Sequence, residues 1–170
     1  MTVRRMTDLY LDGVFRFLLS LVRDPETAAD LAQETFLRLH RSDRPGGPPS
    51  EAYVLATARN TAVSWFRRRD LERRHVDVVA PEDLDPRGAA SGNPTPDRDL
   101  ERRELGAALE TALAGLPEEL RSVFHLSEVE GLRYEQIAEV VGCPTGTVAS
   151  RKHLAVRRLR EHLKRSGHAL

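Results

Sequence analysis

The stretch Tyr134-Glu135-Gln136-Ile137-Ala138-Glu139-Val140-Val141-Gly142-Cys143-Pro144-Thr145-Gly146-Thr147-Val148-Ala149-Ser150-Arg151 holds the most specifically spaced residues of the chain. Their chemistry is recognition of nucleic acid. Apolar Ile137, Val141 and Val148 can pin two helices together, Ala138 is small where they approach, and Gly142 stands at the turn, the spacing of a helix-turn-helix. The helix after the turn is expected to lie in a major groove. Thr145, Thr147, Ala149, Lys152 and His153 then face outward, and Arg151, Arg157 and Arg158 are placed for phosphates. An ordinary helical hairpin with a solvated basic face does not require the turn glycine, the small residue and the apolar positions to coincide.

The net charge of +0, from 26 Lys and Arg against 26 Asp and Glu, argues on average against a polyanionic partner. Charge acts locally, however, because salt screens interactions beyond about 10 Å. Pro144 to Arg165 holds seven basic side chains against the single acid Glu161. Arg59 to Arg74 holds six, Arg59, Arg67, Arg68, Arg69, Arg73 and Arg74, against Asp70 and Glu72. Between these patches, His75 to Leu100 carries six acids against Arg87 and Arg98.

The elements that must position these patches are helical. With 5% aromatic and 31% charged residues, and Leu, Ala, Arg and Glu recurring, the 170 residues favour an all-α protein of two small helical domains. A stripe of Leu9, Val14, Phe15, Leu18, Leu19 and Val22 predicts a first helix ending at Asp24-Pro25. A second runs from Pro25 to about His40, with Leu31, Thr35, Phe36 and Leu39 on one side and Asp30, Gln33, Glu34 and Arg38 on the other. Prolines and glycines from Arg41 to Ser50 predict a loop, followed by a helix over Glu51 to Arg74 presenting Val54, Leu55, Ala58, Ala62 and Trp65/Phe66. Val76 to Pro96 is rich in Pro and Gly and lacks an apolar period, so it reads as a flexible linker. Helices are then expected over Leu100 to Leu116, Pro117 to Glu130, Tyr134 to Val141 and Pro144 to Lys164, with Gly131 stopping the second.

Composition also speaks against other classes of function. The lone Cys143 has no partner for a disulfide, and no Cys/His group has zinc spacing, which points to a reducing compartment. Asp8, Asp12 and Arg16 interrupt the N-terminal apolar run, so neither a signal peptide nor a membrane span is expected. His125 and His153 stand without partners at ligand spacing, and no nucleophile, metal or phosphate-loop motif occurs. The expectation is a non-enzymatic protein with no cofactor, no catalytic residue and no metal.

Leu116-Pro117-Glu118-Glu119-Leu120-Arg121-Ser122-Val123-Phe124-His125-Leu126, Glu130-Gly131-Leu132-Arg133-Tyr134-Glu135-Gln136-Ile137-Ala138 and Gly146-Thr147-Val148-Ala149-Ser150-Arg151 resemble region 4 of the extracytoplasmic-function (ECF) sigma factors. Asp30-Leu31-Ala32-Gln33-Glu34-Thr35-Phe36-Leu37-Arg38-Leu39, Ala58-Arg59-Asn60-Thr61-Ala62 and the following Arg67-Arg68-Arg69 resemble that family's region 2. The resemblance implies a region 2-like domain over 1–75, a linker over 76–99 and a region 4-like helix-turn-helix domain over 100–170. It assigns Asp30, Gln33, Glu34, Phe36 and Arg38 to docking on core RNA polymerase. The loop Arg41 to Ser50, with Arg59, Asn60, Ser64, Trp65, Arg67 and Arg68, would read and capture the melted −10 element, where strand opening lets a protein take individual bases. Thr145, Thr147, Ala149, Arg151, Lys152, His153 and Arg157 would meet the duplex −35 element. The family usually has an apolar residue at position 152 and a basic one at 154, whereas this chain has Lys152 and Leu154, an exchange expected to alter a contact or the packing of the recognition helix.

The expected function is therefore that of an alternative sigma factor in the cytoplasm. It joins bacterial core RNA polymerase, directs initiation at promoter DNA, and leaves an anti-sigma factor open as a further partner. A free-standing helix-turn-helix regulator that dimerises through its first module remains an alternative. So does a sigma-like protein that titrates polymerase or an anti-sigma partner.

Overall fold

The computed structural model describes residues 3–42, 49–75 and 98–167, which form seven helices and no strand among them. The middle of the expected loop and nearly all of the expected linker lie outside the described residues.

The first half contains α1 (Val3–Val22), α2 (Pro25–Arg41) and α3 (Glu51–His75). Helix α1 closes where Arg23 takes a left-handed conformation (φ 61°) and its amide donates to the Leu19 carbonyl at 2.9 Å. Asp24 then caps α2 by accepting from the Thr27 amide at 2.8 Å, and Pro25 fits the first turn, where its missing N–H leaves no bond unmade. This cap holds the Asp24 carboxyl below its ordinary range, through its hydrogen bonds with Thr27. Each of the three helices packs against the other two, and the Tyr10 hydroxyl donates to the Pro49 carbonyl at 3.2 Å, fixing the chain as it enters α3.

The core faces of α2 and α3 fall where periodicity puts them. Leu31, Thr35, Phe36 and Leu39 are buried on α2, as are Val54, Leu55, Ala58 and Ala62 on α3. The stripe on α1 needs correction: Leu9 is exposed, while Phe17 and Leu21, outside the expected stripe, join Val14 and Leu18 in the core. The physical reason is the helical period: Val14, Phe17, Leu18 and Leu21 fall at i, i+3, i+4 and i+7 on one face, Phe15, Leu19 and Val22 flank it half-buried, and Leu9 lies on the opposite side.

The second half contains α4 (Arg98–Ala114), α5 (Glu118–Glu128), α6 (Tyr134–Val141) and α7 (Thr145–Arg165). Gly131, at φ 67°, turns the chain after α5, and the Leu132 amide donates back to the Leu126 carbonyl at 2.9 Å. Helix α7 lies on α4, α5 and α6, with Ala112, Leu116, Leu120, Ala155 and Leu159 forming a small core of their own.

A larger core runs through both halves. It joins Val14, Phe17, Leu18 and Leu21 of α1 with Val123 and Leu126 of α5 and Ile137, Val140 and Val141 of α6. Accordingly α1 packs on α5 and α3 on α6.

Candidate nucleic-acid interface

The turn between α6 and α7 is built locally. Arg133 donates its amide to Gln136 Oε1 at 3.0 Å at the start of α6, and Ile137 and Val148 are fully buried between the helices. Gly142 ends α6 in the left-handed region at φ 68°, its amide donating to the Ala138 carbonyl at 2.9 Å, followed by that of Cys143 at 3.3 Å. Pro144 then precedes α7, whose first turn is solvent-facing. Helix α7 therefore presents one exposed surface bearing Thr145, Ala149, His153, Arg157 and Arg158, with Thr147 half-buried at its edge.

Two of the expected DNA contacts are engaged within the protein. Arg151 Nη2 lies 2.9 Å from Glu119 Oε2, and its Nη1 is 3.7 Å from Cys143 Sγ, so the guanidinium ties α7 to the start of α5 and to the turn. Lys152 Nζ lies 2.7 Å from Glu128 Oε1 and 5.6 Å from the centre of the Tyr134 ring. That hydrogen bond raises the Lys152 pKa and lowers that of Glu128. Leu154 meanwhile packs on the small core beneath α7. The exchanged pair at 152 and 154 is thus accommodated by packing: the leucine goes inward and the lysine finds an acid on the neighbouring helix.

On α3, Asn60, Arg67 and Arg68 are exposed, and Ser64 is half-buried with its hydroxyl donating to the Asn60 carbonyl at 2.8 Å. Trp65 is half-buried against the large core, with Phe66 edge-on at 5.0 Å and the Arg69 guanidinium 5.1 Å from its ring centre. Arg59 faces the second half. Its Nη2 donates to Glu118 Oε2 at 3.3 Å, and its Nε lies 3.2 Å from Glu118 Oε1 without a hydrogen bond to it. The side chains of Arg73 and Arg74 and residues 43–48 of the loop lie outside the described residues.

On α2, Asp30, Gln33 and Arg38 are exposed and Glu34 is half-buried, forming one polar face. Glu34 pairs with Arg38 one turn on, and its Oε2 lies 3.7 Å from Arg68 Nη2 of α3, linking this face to the basic end of α3. Phe36 does not belong to that face: at 6% exposure it is part of the core, because it lies beside Leu39 and Ala32 on the inner side of the helix.

Sequence reasoning missed the acids of the second half that receive these cations. Glu118 meets Arg59 and Glu130 meets Arg16 across 59 and 114 positions of the chain, separations at which no spacing rule operates. Among the described residues no group of three or more His, Cys, Asp or Glu could hold a metal, and no helix is long and apolar enough to cross a membrane.

Comparison with known proteins supplies the rest. Residues 6–72 match Sigma-70 region 2 and residues 106–159 match Sigma-70, region 4. The ECF RNA polymerase sigma factor SigE of Mycolicibacterium smegmatis is 35% identical over 155 residues, covering 91% of this chain and 58% of that protein. The chain thus spans little more than half the length of that relative. The RNA polymerase sigma-H factor of Pseudomonas aeruginosa is 33% identical over 146 residues, covering 84% of this chain and 76% of its own length. Among solved structures, the sigma factor RpoE of Bartonella quintana, crystallised with the anti-sigma factor NepR, superposes with a TM-score of 0.74 at 28% identity. That match covers 95% of this chain and 96% of the other.

Proposed function

The chain belongs to the ECF sigma factors, and from that premise we propose that it binds core RNA polymerase in the cytoplasm and directs promoter-specific initiation. The observation that carries this reading is the pairing of two matched regions, 6–72 and 106–159, with two outward surfaces of different chemistry. One is the polar face of α2, and the other is the basic, solvent-facing side of α7. Its role is binding rather than catalysis.

In this reading residues 1–75 form the polymerase-docking and −10 unit, 76–99 the linker and 100–170 the −35 unit. Asp30, Gln33, Glu34 and Arg38 contact polymerase, while Phe36 holds α2 in place from beneath. Asn60, Ser64, Arg67 and Arg68 track the melted strand, with Arg59 joining them once it is released from Glu118. Trp65 serves chiefly to pack α3, since Phe66 and Arg69 already occupy its edge and one face. Thr145, Thr147, Ala149 and His153 face base edges of the −35 duplex. Arg157 and Arg158 contact its phosphates, and Arg151 and Lys152 brace the recognition helix. An anti-sigma factor is a fitting regulator, because the relative of known structure was crystallised with one.

Pull-down with purified core enzyme tests the docking face. Gln33→Ala with Glu34→Ala should weaken capture about tenfold, as expected for losing two well-placed polar contacts. Undiminished capture of that double variant would place the docking surface elsewhere.

A further inference from the structure

Gly146, in the first turn of α7, has no reason within the protein to be a glycine. Its φ is not positive, unlike those of Gly131, Gly142 and Gly167, and a Cβ built on it would meet nothing within 4 Å. Glycine is a poorer helix residue than alanine, because a more flexible backbone must be fixed. A glycine that neither conformation nor internal space demands is accounted for by a close approach from outside the chain.

The helical period shows what the bare position faces. Gly146, Ser150, His153 and Arg157 stand at i, i+4, i+7 and i+11, all exposed, on the line of α7 opposite the buried Val148, Ala155 and Leu159. Side chains lengthen along this line, from none at Gly146 through a short one at Ser150 to the imidazole and the guanidinium. The Ser150 hydroxyl adds no reach, since it turns back and donates to the Gly146 carbonyl at 2.8 Å. Ala149, also exposed, lies one turn from Gly146 and extends the smooth patch. The end of α7 nearest the turn is therefore the slimmest part of its outer face, and the part that enters a groove most deeply.

We propose that Gly146 is a specificity-determining residue: a base-pair edge of the −35 duplex comes into van der Waals contact with its bare backbone, and the group that touches it is the 5-methyl of a thymine. The proposal rests on the promoter-binding function given above. The choice of base follows from the chemistry of the patch. Guanine, cytosine and adenine present hydrogen-bonding groups to the major groove, whereas thymine adds a methyl. Gly146 and Ala149 offer carbon and no polar side chain, and the Ser150 hydroxyl is already engaged, so the patch matches the methyl and leaves polar edges unanswered. An added Cβ at Gly146 would fill the space that the methyl takes. Arg157 and Arg158 act differently, since phosphate contacts hold a duplex of any sequence.

Holoenzyme reconstituted with the full chain tests this on duplexes randomised over about 10 base pairs, one turn of DNA, upstream of a fixed −10 segment. The parent should select an element containing a thymine whose replacement by uracil, which lacks only the methyl, weakens binding about fourfold, the effect of one buried methyl group. Gly146→Ala should bind the selected element about tenfold more weakly, as for one wrong base pair, and unrelated duplex as well as the parent does. At that same position the variant should bind uracil better than thymine, a reversal that loss of structure does not produce. Its Tm should be no lower than the parent's. The same holds for Gly106→Ala, at an exposed position of α4 where a Cβ also meets nothing within 4 Å, and there the base preference should stay unchanged. A Gly146→Ala variant that binds the selected element as tightly as the parent, keeps the preference for thymine, or melts earlier would overturn the proposal. A parent holoenzyme that selects no duplex element at all would instead count against the proposed function, and the role of Gly146 would fall with it.

Discussion

Lys152 of α7 reaches back to Glu128 at the end of α5, Nζ to Oε1 at 2.7 Å, so this cation of α7 is held by a neighbouring helix. The neighbouring Arg157 and Arg158 are exposed, Arg157 having only a loose approach of 3.9 Å to Glu161 on the same helix.

A difference in salt dependence follows. Arg157→Ala and Arg158→Ala should each lower the slope of log affinity against log salt for −35 duplex by about 1. Lys152→Ala should change that slope by clearly less, while lowering stability by no more than about 1 kcal/mol, as for a partly exposed ion pair. Fluorescence anisotropy of holoenzyme on labelled duplex, titrated with salt, measures the slopes. An equal effect from Lys152→Ala would mean that Glu128 releases it to DNA.

Acid should weaken the contact around His125. Burial, first of all, holds its pKa below the ordinary 6.5, and the charge of Arg16 adds to this, while the hydrogen bond and charge of Glu130 oppose it. The folded chain thus keeps the ring neutral at a pH where the unfolded chain has begun to take up a proton. Stability from this group is fully present above pH 6.5 and is lost as pH falls through the window below it. Thermal unfolding at about pH 7.5 and about pH 5.5 should show a larger drop for the parent than for His125→Gln, which keeps a polar side chain but does not titrate. Equal drops would remove His125 as the source.

Gly142 isolates backbone strain from packing. Its φ of 68° suits glycine, and a Cβ there would meet nothing within 4 Å. Gly142→Ala should therefore lower stability by about 1 kcal/mol, or Tm by about 2–4 °C for a chain of this size. Gly142→Asn should lose less, because asparagine tolerates the left-handed region. Calorimetry that ranks asparagine below alanine would contradict this origin of the turn.

Local structure was legible in the sequence because its causes are local. The 3.6-residue period put Leu31, Thr35 and Leu39 on one side of α2, Asp24-Pro25 and Gly131 punctuated the helices, and Gly142 marked the turn. Helix α1 is less legible: its buried stripe is Val14, Phe17, Leu18 and Leu21, at i, i+3, i+4 and i+7, but the further apolar residues Leu9, Phe15, Leu19 and Val22 around the same helix blur that period in the sequence. Phe36 stands in the motif whose resemblance implies docking, but its own period places it inside, and it is buried. Least legible was the packing of α3 on α6 and the pairing of Arg16 with Glu130, because nothing in a linear pattern records which apolar face meets which.

The most direct measurement is transcription by purified core enzyme reconstituted with this chain, with the RNA 5′ ends sequenced. Start sites should share two upstream sequence elements about 25 base pairs apart, and they should vanish when the chain is omitted. Ends that do not depend on the chain, or that share no such pair of elements, would contradict its assignment as a sigma factor.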